Sequence, residues 1–273
     1  MNFRLRLLLA ILLAVLVPLG ALAFGIRREM DRRLTAEYAE RVSAMAEVIE
    51  SDLVGERGNI DARLNALAAD LARDNRFRLA VLGAGSHRQY LLDYASGAMS
   101  LSGLSMLQIQ DSTGRILSSG HFRNEFDRLQ PELPHLLAST ESTMALVRTR
   151  TPEAELLALV RVDSFRVAGR HYTLVGGIRP EARLLNQPSR GQDLSVALVY
   201  PGAANVTSVA TRVVGEIALP YLDLLSEPVA VDTSRFVITH SLKTLEALRR
   251  SVDRWFLAAV VITGAVALTL AAW

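Results

Sequence analysis

Two uncharged apolar runs, one at each end of the chain, restrict its fold more than any other feature. Residues 7–24 read LLLAILLAVLVPLGALAF, and residues 256–273 read FLAAVVITGAVALTLAAW directly after Arg254 and Trp255. A helix of about 20 apolar residues crosses the hydrocarbon core of a bilayer, and arginine with an interfacial tryptophan is typical of a membrane boundary. We therefore expect an N-terminal transmembrane anchor over residues 1–26 and a second transmembrane helix over 256–273, which would continue into a longer protein.

The N-terminal run has an alternative interpretation, and the orientation of the chain in the membrane needs a separate argument. A cleavable signal peptide would use the small residues at 21–23 as its processing site. Four arginines within residues 27–33 favour a cytoplasmic central domain by the positive-inside rule, but long loops cross the membrane largely regardless of charge. The prediction is an inner-membrane protein with two spans and an extracytoplasmic central domain.

The composition excludes several kinds of chemistry. The chain has no cysteine, which removes disulfides, thiol nucleophiles and cysteine-ligated metals. Its 30 basic and 28 acidic residues leave a net charge of +2, too small for bulk binding of nucleic acid. The sequence contains no GxSxG elbow, P-loop or HExxH motif, and its five histidines lack metal-ligand spacing. We expect no catalytic residue, cofactor, metal or nucleic-acid partner for this chain.

Residues 27–75 predict a long amphipathic stalk helix without proline. Gly55 and Gly58 interrupt its periodicity, so we expect a weak point there and then a further helix. Such a helix either packs on its own domain or pairs with a second copy as a dimer-forming stalk, and both interpretations stay open. The apolar positions recur at three- and four-residue steps: Leu34, Tyr38, Val42, Met45, Val48, Ile49 and Leu53, then Ile60, Leu64, Leu67 and Leu71.

Residues 76–180 predict a first, membrane-distal α+β module. Residues 79–86 read LAVLGAGS, which lacks the third glycine of a dinucleotide-binding turn and instead favours a glycine turn before a short helix at 90–95. Two strands, an irregular helical crossing and three antiparallel strands then follow in the order of a PAS-like domain. The predicted strands are 104–110, 115–119, 144–148, 156–163 and 171–178, with a turn at 111–114 and a short helix at 133–139.

A smaller, membrane-proximal module is predicted over residues 181–241. A boundary rich in proline, serine and glycine at 180–192 precedes it, and an exit helix over 242–255 leads into the second apolar run. The fold class predicted is α+β, with a long N-terminal helix and two PAS-like antiparallel-sheet modules between two transmembrane helices. The expected elements of the second module are strands at 194–200, 206–210, 229–231 and 236–239 and a helix at 219–225.

This arrangement resembles the extracytoplasmic sensor region of bacterial transmembrane receptors of the double Cache class. Residues 107–128, LQIQDSTGRILSSGHFRNEFDR, are similar to the central hairpin and following loop in the input regions of sensor histidine kinases. The resemblance implies the signal-sensing input region of a two-component sensor histidine kinase, in which a small molecule shifts the distal module of a homodimer. The conformational change would then cross the membrane, and kinase activity would lie in sequence beyond residue 273.

Two alternatives stay open at this point. The input region of a chemoreceptor or of a diguanylate cyclase would share the same architecture. A ligand-free, membrane-anchored structural or assembly protein would use the same helix and sheet without a binding site.

The resemblance also implies that a small molecule binds between the sheet and the loop and helix that cover it. The candidate ligand-binding residues are His121 and Arg123 after the second strand, Arg161 and Asp163 on the fourth, and Tyr172 on the fifth. An arginine donates two parallel hydrogen bonds to a carboxylate, whereas aspartate and tyrosine suit an amine. The alternative is that Arg161 and Asp163 only face water, because residues two apart on a strand share a face.

Overall fold

The chain has an α+β fold in which a long helix and shorter helices pack on one mixed sheet of eight strands. The computed structural model describes residues 3–83, 88–140, 143–180, 194–202 and 211–241, with scattered positions between 251 and 269. Along the sheet the strands lie in the order β2-β1-β5-β4-β3-β7-β8-β6. The helices are α1 (Phe3–Arg73), α2 (Asn75–Leu82), α3 (Arg88–Ser102) and α4 (Glu132–Ser139).

Helix α1 runs without interruption past both glycines, so the break expected at Gly55 and Gly58 is wrong. Each glycine costs a helix about 1 kcal/mol relative to alanine. Leu53 and Ile60, on either side of them, are buried against the sheet, and this packing outweighs the weak local propensity. Within the part of the chain that is described, no helix is both long enough and apolar enough to cross a bilayer.

Two shorter helices follow α1 and differ from expectation. Helix α2 was not predicted, although Asp74 before it is an ordinary N-cap whose Oδ1 accepts a hydrogen bond of 2.7 Å from Arg76 N. Helix α3 extends beyond the predicted residues 90–95 at both ends. Residues 84–87 of the expected glycine turn lie outside the described residues.

Five antiparallel strands form the first part of the sheet and confirm the predicted strands of the first module, with small shifts at their ends. The turn between the fourth and fifth strands lies at Ala168 and Gly169, which both have positive φ. The strands are β1 (Met106–Asp111), β2 (Ile116–Ser119), β3 (Ala145–Arg150), β4 (Glu155–Val167) and β5 (Arg170–Ile178).

Three further strands extend the sheet beyond β3: β6 (Leu194–Val199), β7 (Thr211–Asp223) and β8 (Ala230–Ser241). The predicted helix at 219–225 is wrong, because residues 219–223 are the end of β7 and residues 224–225 form a turn. Leu219 and Tyr221 pack on one face and Leu222 on the other, and burial on both faces hides the alternation of a strand. The predicted strands at 229–231 and 236–239 are one strand, β8. The boundary at 181–192, the strand at 206–210 and nearly all of the exit helix lie outside the described residues.

The two faces of the sheet are covered by different elements. Helices α1, α2 and α3 bury one face, where Ile109, Leu159 and Leu174 belong to the larger apolar core. Helix α4 packs on the opposite face against a second core. A parallel pairing of only three residue pairs, Leu146–Arg148 with Tyr221–Asp223, joins the first five strands to the last three.

A candidate ligand site under the β2–β3 connection

The connection between β2 and β3 folds back over the sheet and is fixed to the outer edge of β2. The connection packs against the β1–β2 hairpin turn, where Gly114 has φ +79° and a Cβ would lie 2.5 Å from Pro131 Cα. Ile116 N donates to Arg128 O at 2.9 Å, and Gln130 N donates to Gly114 O at 2.8 Å. These backbone hydrogen bonds hold residues 120–130 as a cover on the face of the sheet opposite α1.

Beneath this cover lies a cluster of buried polar side chains, which we call the buried polar cluster. Gln110 Nε2 donates to Gln108 Oε1 at 3.4 Å, and Gln108 Nε2 donates to Glu125 Oε2 at 2.9 Å. Glu125 Oε2 lies 3.6 Å from His121 Nε2, and His121 Nδ1 lies 3.3 Å from Ser119 Oγ. The cluster consists of Gln108, Gln110, Ser119, His121 and Glu125, and we add Gln130 of the cover because all six are less than a tenth exposed.

Three atoms of the cluster lack a hydrogen-bond partner among the described residues: Gln110 Oε1, His121 Nε2 and Gln130 Oε1. A buried polar atom without a partner costs about 1–3 kcal/mol, and native proteins contain few of them. In native proteins such atoms usually bind an ordered water or a ligand, so the cluster is a candidate place for a small polar species.

Burial controls the charge of the two titratable members. Burial lowers the pKa of His121 to about 4, against a weaker opposite effect of the Leu107 carbonyl, so the imidazole is neutral at pH 7. Burial raises the pKa of Glu125, while the hydrogen bond from Gln108 and the charges of Arg128 and Arg150 act in the opposite direction. Of the residues described, no group of three acidic or histidine side chains is placed to hold a metal ion.

Two of the five candidate residues lie in the cover. His121 is a fully buried member of the cluster, whereas Arg123 points out of it. The Arg123 guanidinium, on a short 3-10 helix (Arg123–Glu125), lies 2.5 Å from Asp93 Oδ1 on α3 and is half exposed. This ion pair ties the edge of the cover to the helical layer.

The other three candidates lie on the opposite face of the sheet, so the five residues do not form one pocket. Arg161 Nε lies 2.6 Å from Asp61 Oδ1 of α1, in an ion pair without the geometry of a linear hydrogen bond. Asp163 Oδ2 is buried without a hydrogen-bond partner among the described residues. Tyr172 is 3% exposed and stacks on Phe165 at 5.5 Å within the core under α2.

Sequence reasoning missed Gln108, Gln110, Glu125 and Gln130. Strand β1 alternates polar and apolar side chains, and this pattern predicts that its glutamines face water. They are buried because the β2–β3 connection covers their face. The one local feature that could have indicated their burial was the long segment between the second and third predicted strands.

A second concave feature lies in the helical layer. A groove of about 720 Å³ separates α1 from α3 and is open to solvent. Its walls are mostly apolar or small, with Asp70, Tyr90, Asp93 and Tyr94 among its lining residues. Tyr90 is already engaged, since its hydroxyl donates to Asp74.

The sequence matches no protein-family model and no curated protein, but solved structures similar to this chain include a sensor domain, an extracellular domain and a periplasmic domain. The sensor domain of the histidine kinase DctB of Vibrio cholerae has a TM-score of 0.41 at 12% identity, and the similarity covers 61% of this chain and 63% of that domain. The extracellular domain of the putative histidine kinase vpHK1S-Z8 has a TM-score of 0.43 at 11% identity, with 78% and 98% covered. The periplasmic domain of Vibrio cholerae LuxQ has a TM-score of 0.35 at 15% identity, with 73% and 97% covered. The chain thus spans less than two thirds of the DctB sensor domain.

Proposed function

We propose that the chain is the signal-sensing input region of a membrane-anchored receptor of the sensor histidine kinase type, with the buried polar cluster as its sensing site. The observation that carries this proposal is the set of three unpaired buried atoms under the β2–β3 connection. A fold selected only for stability would fill this space with apolar side chains. A small polar species that enters beneath the cover would supply the missing hydrogen bonds and hold the connection in a new position.

The proposed architecture places two PAS-like modules outside the cytoplasm, between anchors at residues 1–26 and 256–273. The first five strands belong to the membrane-distal module (76–180) and the last three to the membrane-proximal module (181–241). The two apolar runs of the sequence support the anchors. Fusions after residue 200 are expected to give active alkaline phosphatase and inactive β-galactosidase, and the reverse would contradict the orientation.

A path from the cover to the last strands supports a transmitting role. Arg128 of the cover lies 3.1 Å from Glu227, in the turn between β7 and β8. Arg148 of β3 lies 3.2 Å from Asp223 of β7, beside the three parallel pairs that join the two strand groups. The Arg128–Glu227 pair is exposed and contributes little stability, but it gives the cover a defined contact with the C-terminal strands. A shift of the cover would therefore act on β7 and β8.

The sensing role predicts that a small polar compound stabilises the full chain. Amino acids, organic acids, amines and nucleobases are to be tested one by one in thermal unfolding, at several pH values. A compound at about 100 times its Kd stabilises by about 2.7 kcal/mol, which raises the unfolding midpoint by several degrees. No shift with any compound, and no cluster-dependent effect of pH, would contradict the proposal and favour the ligand-free structural alternative.

A matched pair of variants localises the effect. Gln110→Leu removes the unpaired Oε1 acceptor from the cluster, and we expect it to abolish the shift caused by an active compound. Gln89→Leu makes the same change at an exposed position of α3 and should leave the shift unchanged. Loss of the shift in both variants, or in neither, would place the binding site elsewhere.

We also propose that two copies of the chain associate through α1. The 71 residues of this helix extend over about 105 Å, and one of its faces packs on the sheet. Exposed positions on the opposite face follow alternating steps of four and three residues, the spacing of a coiled-coil seam. This seam consists of Ala44, Val48, Ser51, Gly55, Gly58, Ala62, Asn65 and Ala69.

The seam predicts that a charge at its centre separates the dimer. Ser51→Arg places a bulky cation opposite its own copy, and we expect the dissociation constant to rise by at least about tenfold, or 1.4 kcal/mol. Ser43→Arg makes the same change at an exposed position beside the seam and should leave association intact. Analytical ultracentrifugation of the full chain in detergent measures both. Equal effects of the two substitutions, or a monomeric parent chain, would contradict an interface at this seam.

A further inference from the structure

His121 Nε2 and Glu125 Oε2 face each other in a buried place at 3.6 Å without a hydrogen bond between them. In the tautomer protonated at Nδ1, the imidazole donates to Ser119 Oγ at 3.3 Å, and Nε2 has no hydrogen-bond partner among the described residues. Nε2 then carries a lone pair, and it faces Glu125 Oε2 at 3.6 Å. Two acceptors that face each other in a buried place repel, unless a proton or a donor comes between them.

The other groups around Glu125 only partly support its negative charge. Gln108 on β1 donates one hydrogen bond at 2.9 Å. Arg128 Nη1 is 4.0 Å from Oε1, and Arg150 on β3 acts through its charge without a direct contact. Burial opposes these effects and leaves the pKa of Glu125 above its ordinary value. The carboxylate therefore takes up a proton at a higher pH than an exposed glutamate would.

We propose that Glu125 and His121 form a proton-binding site, and that the species sensed by the buried polar cluster is a proton. In this step a hydronium ion gives its proton to Glu125 Oε2, an O–H bond forms, and this O–H donates to the lone pair of His121 Nε2. No electron transfer or further reactant is needed. The inference rests on the proposed sensing function and names its ligand.

Uptake of the proton changes how the cover is held. Arg128 faces two carboxylates, Glu125 at 4.0 Å and Glu227 at 3.1 Å. When Glu125 becomes neutral, Arg128 loses its attraction to this carboxylate and keeps its attraction to Glu227 of the β7–β8 turn. The charge of one buried side chain thus sets the balance between a contact inside the cover and a contact with the C-terminal strands.

The test is ¹⁵N-histidine NMR of the full chain in detergent, recorded from about pH 7.5 to about pH 5. The His121 signals are assigned by their loss in His121→Gln. We expect Nε2 to stay free of a covalent proton but to shift as it accepts a hydrogen bond, with a midpoint that belongs to Glu125. In Glu125→Gln this transition should disappear, whereas in Glu132→Gln, at an exposed position on α4, it should remain.

Three outcomes separate this inference from the proposed function. A His121 that becomes imidazolium with an ordinary midpoint, or that titrates unchanged in Glu125→Gln, overturns the proton site. If such a result accompanies a compound whose stabilising effect depends on Gln110, the sensing function stands with another ligand. If no compound and no pH change acts through the cluster, both proposals fail.

Discussion

Replacement of Phe77 by alanine is expected to lower the free energy of unfolding by about 3–5 kcal/mol. The ring is fully buried under α2, where its centroid lies 5.8 Å from that of Phe165, 5.7 Å from that of Tyr172 and 6.1 Å from that of Tyr94. Truncation leaves a cavity among three rings. Because these rings lie on three different elements, they cannot all move in to fill it. For a chain of this size the unfolding midpoint should fall by roughly 6–20 °C.

Leu79→Ala is the control for this prediction. Leu79 lies two residues away on the same helix and is 54% exposed, so its truncation should change stability by no more than about 0.5 kcal/mol. Urea unfolding of the full chain, followed by circular dichroism, compares the two variants. Similar midpoints for Phe77→Ala and the parent chain would mean that α2 does not close the core as described.

The second large effect is expected at Gly177, where β5 passes close to β4. A Cβ at this position would lie 2.3 Å from Leu159 O and 2.9 Å from Val160 Cα. Both atoms belong to the backbone, so no side-chain rotation relieves the contact, and the two strands must separate. We expect Gly177→Ala to lower the free energy of unfolding by about 3 kcal/mol or more, measured by urea unfolding.

Substitution of Gly97 by alanine should change the free energy of unfolding in the opposite direction. Gly97 lies within α3, and a Cβ there meets nothing within 4 Å. Alanine is favoured over glycine in a helix by about 0.5–1 kcal/mol, so Gly97→Ala should stabilise the chain. If both substitutions stabilise the chain, the close approach of β4 and β5 is not what requires a glycine at 177.

Local patterns were sufficient for most of the first five strands and for the helix that packs on them. Alternation predicted β1, strand-like apolar runs predicted β3 to β5 although both of their faces are buried, and apolar periodicity predicted the part of α1 that packs on the sheet. The same reasoning failed for the end of β7, because Leu219–Asp223 shows no alternation and has no β-branched residue to favour a strand. It also failed at Gly55 and Gly58, where the sheet supports the helix and local propensity does not decide.

The candidate site was only partly predictable, for a related reason. His121 was identified because it follows the hairpin in the segment that covers the sheet. Gln108 and Gln110 alternate with apolar neighbours and therefore look like residues on a solvent-exposed face. Their burial depends on residues 120–130 folding back on β2, a long-range event that no local pattern records. Arg161 and Tyr172 were correctly placed on strands. The face of each strand that packs on a given helix, however, is also set by the tertiary structure.

The unbroken course of α1 limits how the two groups of strands can move relative to each other. Its Asp61 pairs with Arg161 of the first group, and its Val42 lies against Gly215 of the second, where a Cβ would come within 3.1 Å. These two points of attachment are 19 residues apart, about 28 Å along one helix. Between them α1 also packs on the sheet through Leu53 and Ile60, so the helix holds the two strand groups at a fixed spacing. Under the proposed sensing function, the motion compatible with this fixed spacing is a rotation of one strand group about the axis of α1.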